Sequence, residues 1–264
     1  MSFTTNELMA YAVSRRLRSE DLVFIGVGTA GRAYTLAVGI PLVASRLAQL
    51  DHAPDLDIYL GNLLSPDLAK MPTQLTQDAI TRWPGAHAPA DIGNKVDALV
   101  RGDFTVSFES AAQVDRWGNL NITAIGAAEA PDVRLVGTLA QAEHLAFVER
   151  PIIVVDLSSR TFVEEVDVIS SFGHASTQGS RRQLGYSTGG PALVVTDLCT
   201  FDFTGQGLMR LNSLHPGVTV DQVLDQMSFE PVIPDQVPQT PKPNEEQIKL
   251  IRNEIDEGQA LLRH

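Results

Sequence analysis

Short, nearly uniform apolar runs constrain this chain more than any other feature. Leu22-Val23-Phe24-Ile25 is one, and Leu56 to Leu60, Phe104 to Phe108, Val133 to Val136, Ile152 to Val155, Val166 to Ile169 and Ala192 to Thr196 follow it at helix-length intervals. Side chains alternate between the two faces of a strand, so a half-solvated antiparallel sheet would alternate apolar with polar residues. Uniform runs instead predict strands covered on both sides, hence an α/β fold with a mainly parallel open sheet and helices on both faces. Thr4 with Glu7 forms a capping-box signature that opens a first helix of about three turns. The Ala-rich stretch Tyr34 to Leu50 predicts a long helix behind the first strand. Phe201 to Leu214, alternating around Gly205-Gln206-Gly207, predicts a late hairpin at the sheet edge.

The prolines at 234, 238, 241 and 243 make residues 232–243 an extended connector before a last helix from about Glu245. The expected organisation is one α/β domain over residues 1–231, followed by the connector and C-terminal helix of 232–264. The apolar stripe Ile248, Ile251 and Ile255 on that helix and the helix from Tyr34 to Leu50 are expected to pack either against a partner chain or against this chain's own sheet, the partner being the favoured reading for the stripe.

Composition excludes several classes of function. The 264 residues carry 20 Lys and Arg against 32 Asp and Glu, a net charge of −12 with no basic stripe, which speaks against nucleic acid as a partner. No apolar stretch of about 18 residues stands out as a membrane span, and Met1-Ser2-Phe3-Thr4 does not begin an export signal, so a soluble cytoplasmic protein is expected. The single Cys199, flanked by Leu198 and Thr200, suits a reducing compartment and reads as a packed, inert thiol. His52, His87, His144, His215 and His264 show no ligand spacing, and His144 lacks the second histidine of a zinc helix, so no metal is expected.

Gly26-Val27-Gly28-Thr29-Ala30-Gly31 fits G-x-G-x-x-G between a predicted strand and helix, where glycines let backbone amides approach an anion at a helix start. The second strand, however, ends in Leu60-Gly61-Asn62 rather than in the acidic residue that a dinucleotide ribose requires. A tight turn lined by amides for another ligand is the better reading.

Phe108-Glu109-Ser110-Ala111-Ala112-Gln113-Val114-Asp115-Arg116-Trp117-Gly118-Asn119-Leu120-Asn121 follows a predicted strand, at the end where open α/β sheets bind ligands. Within it, Gln-Val-Asp, two residues and then Gly-Asn-Leu-Asn resembles β subunits of family I coenzyme A transferases of the glutaconate type. The resemblance extends through Gly26-Val27-Gly28-Thr29, Gly190-Pro191-Ala192-Leu193-Val194-Val195-Thr196-Asp197 and the tail from Ile248 to Ala260. It implies a fold related to the sugar-phosphate isomerases and a homologous α subunit carrying the main catalytic acid, in an α2β2 complex. Coenzyme A is then part of a thioester substrate, and no separate cofactor is expected.

Two departures stand out. The resemblance implies a nucleophilic glutamate at the end of the second strand, where this chain reads Ile58-Tyr59-Leu60-Gly61-Asn62. Without a carboxylate the ping-pong step through a glutamyl thioester has no nucleophile. Consecutive glycines of the transferases are replaced at Gly137-Thr138-Leu139-Ala140, which implies a reshaped pocket. A missing nucleophile in a retained frame is similar to a divergent branch of the family, the β subunits of ring-cleaving CoA-ester hydrolases in bacterial steroid (cholesterol) catabolism. Their implied substrate is a cyclohexenone carboxyl-CoA, opened by water in a retro-Claisen manner. A conventional CoA transferase and a non-catalytic scaffold subunit are the alternatives.

The catalytic candidates are Glu109, Gln113 and His174. Glu109 stands where related transferases are apolar, so it is either a carboxylate added for acid–base work or one bonded to turn amides. Gln113 is read either as an amide donor to substrate oxygens or as a turn holder. His174 is read either as a proton shuttle or as a loop imidazole near solvent. Gly26, Gly28, Thr29, Gly137, Asn119 and Arg181 are expected to frame the coenzyme A moiety, Arg181 through a carboxylate or phosphate, with a turn-holding role the alternative for Asn119.

Overall fold

The computed structural model describes residues 2–26, 30–61, 63–70, 83 and 92–263. They form two compact units, one of 1–98, 103–108 and 241–264 and the other of 99–102 and 109–240. Pro234 and Pro238 thus belong to the second unit, and Pro241 and Pro243 to the first.

The first unit opens with α1 (Thr5–Ser14), whose capping box is complete: Thr4 Oγ1 accepts the Glu7 amide and the Glu7 carboxylate accepts the Thr4 amide. β1 (Leu22–Ile25) follows, then α2, helical over Arg32–Asp51, then β2 (Asp57–Leu60), β3 (Leu63–Leu64), α3 (Ile92–Arg101) and β4 (Val106–Glu109). The strand order here is β4-β1-β2-β3, parallel in β4-β1-β2 and antiparallel at β3. Phe24 stacks on Tyr59 at 5.6 Å, and Phe104 meets both rings edge-on at 5.5 and 5.2 Å.

α2 has 20 residues, enough by length and composition alone for a membrane span, but two thirds of its apolar stretch is buried inside the protein. The exception to the sequence expectation is therefore a core helix. Its segment Thr35–Gly39 is a wider π turn, the kind of bulge that absorbs a local packing demand.

The second unit contains the short pairs β5 (Gln113–Val114) with β6 (Leu120–Asn121) and β7 (Ala124–Ile125) with β8 (Val133–Arg134), then α4 (Gln141–Phe147) and β9 (Arg150–Val154). After the small hairpin of β10 (Ala175–Ser176) and β11 (Gly179–Ser180) come β12 (Leu193–Val195), β13 (Cys199–Phe203), β14 (Met209–Leu214) and α5 (Val220–Leu224). The order is β14-β13-β12-β9, with β9 and β12 parallel and the late hairpin antiparallel at the edge. Val114, Leu120, Ile153, Phe162, Val194 and Phe201 centre its core. Cys199 is fully buried, and burial pushes its thiol up to about 12, so it stays protonated.

Two expected strands differ from expectation. Val166 to Ile169 is irregular, because the Asp167 amide donates to Gln113 Oε1 and the Ser170 amide turns back onto the Val168 carbonyl, leaving no ladder to join. Val133 to Val136 supplies only the exposed two-residue β8, paired antiparallel rather than buried in a parallel sheet.

The chain ends with α6 (Glu245–Leu250), continued by a π turn over Ile251–Ile255. Of the two surfaces expected for the C-terminal stripe, it is this chain's own that covers it: Ile248, Ile251 and Ile255 are 1%, 1% and 7% exposed, packed within the first unit. The reason is anchoring. Arg252 makes a two-pronged pair with Glu7, Gln247 reaches Asp51, and Asn6 donates to the Leu262 carbonyl. α2 likewise buries its apolar side chains inside this chain. Asp256 then gathers the amides of Ala260, Leu261 and Leu262 and wraps the terminus onto α2.

At Gly39 that wrapping leaves no room for a side chain, since a Cβ would lie 2.0 Å from the Leu261 carbonyl oxygen. Gly39→Ala is therefore expected to destabilise the protein by about 1–3 kcal/mol. Removing residues 259–264 in the same variant should return much of that loss, as measured by thermal unfolding.

Candidate active site

β4 delivers Glu109 at its C-terminal end, buried to 4% exposure, and the half-buried residues Ser110, Ala111 and Ala112 lead from it into β5. Glu109 Oε1 lies 3.0 Å from His144 Nδ1, and the imidazole is equally enclosed. The glutamate thus meets α4 rather than turn amides. Gln141, one turn earlier on the same face, donates to the Ser110 carbonyl and accepts from the Ser171 hydroxyl, which fastens the start of α4 beside the strand end.

Gln113 has both ends of its amide occupied. Nε2 donates to Asp167 Oδ2 at 3.1 Å, and Oε1 accepts from Asn121 Nδ2 and the Asp167 amide. Asn121 in turn accepts the amides of Thr123 and Ala124. Gln113 therefore locks a loop rather than presenting a free amide.

Asn119, His174 and Arg181 come together around a second polar cluster. In the turn before β6, Asp115 accepts the amides of Trp117 and Asn119 and the Asn119 side chain. Asn119 also donates to the Ala175 carbonyl and accepts the Gly173 amide. The approach at Gly173 is close enough that a Cβ would stand 2.2 Å from the Trp117 carbonyl oxygen. Burial pushes the Asp115 carboxyl up to about 6, against the lowering effect of those donors.

His174 is half-buried, with Nε2 at 2.8 Å from the Pro191 carbonyl and its ring 4.4 Å from that of Phe203. Burial holds it below the ordinary 6.5, the Pro191 carbonyl opposing and the Arg181 charge assisting. Arg181 is 5% exposed and directs every N–H internally: to Phe172 and Gly173 carbonyls, to the Leu145 carbonyl, and to Thr188 through both its carbonyl and its hydroxyl. Its guanidinium stands over Tyr186 at 4.4 Å, and burial lowers it to about 10. No donor remains for a ligand phosphate.

Gly26 follows β1 in the first unit with open space at its Cβ position, while Gly28 and Thr29 lie outside the described residues. Gly137, at φ +87, follows β8 in the second unit and donates to the Ile122 carbonyl. Among the described residues no group of three or more His, Cys, Asp or Glu converges as a metal ion requires.

His144 is the group that sequence reasoning passed over. Gln141 and His144 share a helix face by their spacing, which was the available signal, but 35 positions separate His144 from Glu109.

Residues 6–226 fit the coenzyme A transferase family model. The chain is 32% identical to one of the subunits of the 3-oxoadipate CoA-transferase of Pseudomonas knackmussii, over 95% of this chain and 93% of that one. It is also 32% identical to the cholesterol ring-cleaving hydrolase IpdB subunit of Rhodococcus jostii, over 82% of each. In three dimensions it follows glutaconate coenzyme A-transferase from Acidaminococcus fermentans with a TM-score of 0.80 at 24% identity, over 99% of this chain and 98% of that one.

The closed cluster makes the protein sensitive to substitution and to pH. Arg181→Lys leaves several buried carbonyls without a donor and should cost on the order of 3 kcal/mol in thermal unfolding. His215, buried between the Thr240 hydroxyl and the Thr196 carbonyl, is, like His174, held below the ordinary 6.5, mainly by burial. A histidine depressed in the folded state favours the unfolded chain once protonated, so its stabilisation is complete above pH 6.5 and is lost as pH falls through the lower native value. Asp115 has the opposite sign, since its raised carboxyl loses stabilisation as pH rises through about 6. Thermal melts should therefore fall from pH 7 to pH 5 if the histidines dominate, and His215→Gln should flatten that fall.

Proposed function

Because the chain belongs to the coenzyme A transferase family, we propose that it is the β subunit of a heteromeric, cytoplasmic CoA-ester hydrolase that opens a cyclohexenone carboxyl-CoA ring in steroid degradation. A homologous α subunit carries the main catalytic acid, and the assembly is α2β2. The observation that carries this reading is the end of β2. Its residues Asp57-Ile58-Tyr59-Leu60 and the following Gly61 offer no carboxylate there, and Asp57, at the opposite end, is exposed and bonded to the Ser65 hydroxyl. A covalent glutamyl thioester then has no origin in this part of the chain. The likeness to the cholesterol ring-cleaving hydrolase subunit supports the same direction.

In the proposed reaction water attacks the ring ketone β to the thioester. The adjoining carbon–carbon bond breaks, and its electron pair is delocalised into the thioester enolate, which donors lining the site stabilise. Glu109 is the carboxylate of this subunit assigned to acid–base work. Gln113, Asn119, His174 and Arg181 serve by holding the loops around it.

A second reading is a conventional CoA transferase, favoured by the match to the 3-oxoadipate enzyme over 95% of the chain. The two separate cleanly. The paired subunits, incubated with the cyclohexenone thioester and followed by mass spectrometry, are expected to yield the ring-opened acid. Borohydride treatment during turnover should then find no glutamate reduced from an enzyme–CoA thioester. Unchanged ring substrate together with a trapped glutamate establishes the transferase instead.

A further inference from the structure

Glu109 and His144 form a buried carboxylate–imidazole pair at 3.0 Å, with side-chain exposures of 4% and 7%. An ionised carboxylate only accepts hydrogen bonds, so this contact requires the proton on Nδ1 and fixes the tautomer. A desolvated carboxylate is costly in isolation, and an imidazole N–H offsets that cost.

Side-chain hydrogen bonds, and not packing alone, hold the pair's setting. α4 is fastened at Gln141 to the Ser110 carbonyl and the Ser171 hydroxyl, and at Leu145 by the buried Arg181 guanidinium at 2.7 Å. These anchors flank His144 on both sides in sequence. Supporting contacts of this kind are what hold a proton-transfer group in a fixed orientation. Glu109 also ends β4, the strand end at which open α/β sheets receive ligands.

We infer that His144 is a positioning residue that orients Glu109, and that the pair handles this subunit's proton transfer during turnover. The inference rests on the hydrolase reading for its reaction. The balance closes: the hydroxyl of one water ends on the former ketone carbon as part of the new carboxyl group, and the proton of that water passes to the pair. The broken bond's electrons reside on the carbon α to the thioester, the held proton completes a C–H bond there, and the pair returns to its starting state.

The test uses the co-expressed two-subunit complex with Glu109→Gln, His144→Gln, His144→Ala and the double variant Glu109→Gln/His144→Ala. Three readouts apply: kcat and KM against pH for ring opening, deuterium uptake at the carbon α to the thioester in deuterium oxide, and the melting temperature. Glu109→Gln is expected to lower kcat about 10²–10⁴-fold with KM nearly unchanged. His144→Ala should lower kcat at least tenfold and displace the acidic limb of the pH profile, His144→Gln should recover part of the rate, and the double variant should be no slower than Glu109→Gln. Folded variants with turnover within a factor of two of the parent, or a double variant whose losses multiply, overturn the inference, as does a lowered melting temperature with unchanged kcat. If the complex leaves the ring intact, deuterium uptake on the same thioester still reads the pair. Uptake abolished by both single variants sustains the pair while the hydrolase reading falls, and uptake indifferent to them overturns the pair. Should the variants fail to fold, nitrogen NMR of the parent complex decides: His144 protonated on Nδ1 at neutral pH sustains the inference, and the opposite tautomer overturns it.

Discussion

A single buried guanidinium organises the second unit. Among the described residues Arg181 has no carboxylate partner at hydrogen-bond distance; its donors end on neutral oxygens of Leu145, Phe172, Gly173 and Thr188. A planar fork with fixed donor directions satisfies several loop carbonyls at once, which a flexible ammonium cannot do. Burying the charge is tolerable only because every N–H is used. The consequence is mechanical: the loop before β10, the segment at Thr188 and the end of α4 are tied to one point.

From that tie the polar residues of the second unit divide into two groups. Asp115, Asn119, His174 and Arg181 direct their hydrogen bonds to one another's backbone or to neighbouring loops, and form a closed clasp. Gln113 behaves in the same way with Asn121 and Asp167. Glu109 and His144 differ because their contact joins two titratable side chains, one at a strand end and the other on the helix that Arg181 fastens. Fully satisfied networks of this kind rigidify a fold.

The first unit is governed by a different constraint, the close approach of its C-terminal segment to α2. Asp256 collects three successive amides, and Leu261 seats its carbonyl where only Gly39 leaves space. The bidentate contact of Arg252 with Glu7 ties the same segment to the first helix, whose capping box that glutamate already completes. One side chain thereby serves both a helix start and a tertiary junction.

Much of this was legible in the order of residues. Local rules identified the Thr4 and Glu7 capping box, the buried strand Leu22–Ile25, the hairpin of β13 and β14 and the helix after Asn244, because each depends on neighbours within a few positions. The turn from Asp115 to Asn119 and the family it points to were readable for the same reason. Local rules failed where a side chain diverted the backbone, as Gln113 does to the segment from Val166 to Ile169. They left two surfaces open for the stripe Ile248, Ile251 and Ile255, since periodicity marks an apolar face without saying which surface covers it. The roles of Arg181 and His144 were decided by tertiary structure alone. Sequence established which groups carry charge and protons, but the partners of those groups lie up to 36 positions away, and only folding brings a buried charge to the oxygens or the carboxylate that make its burial tolerable.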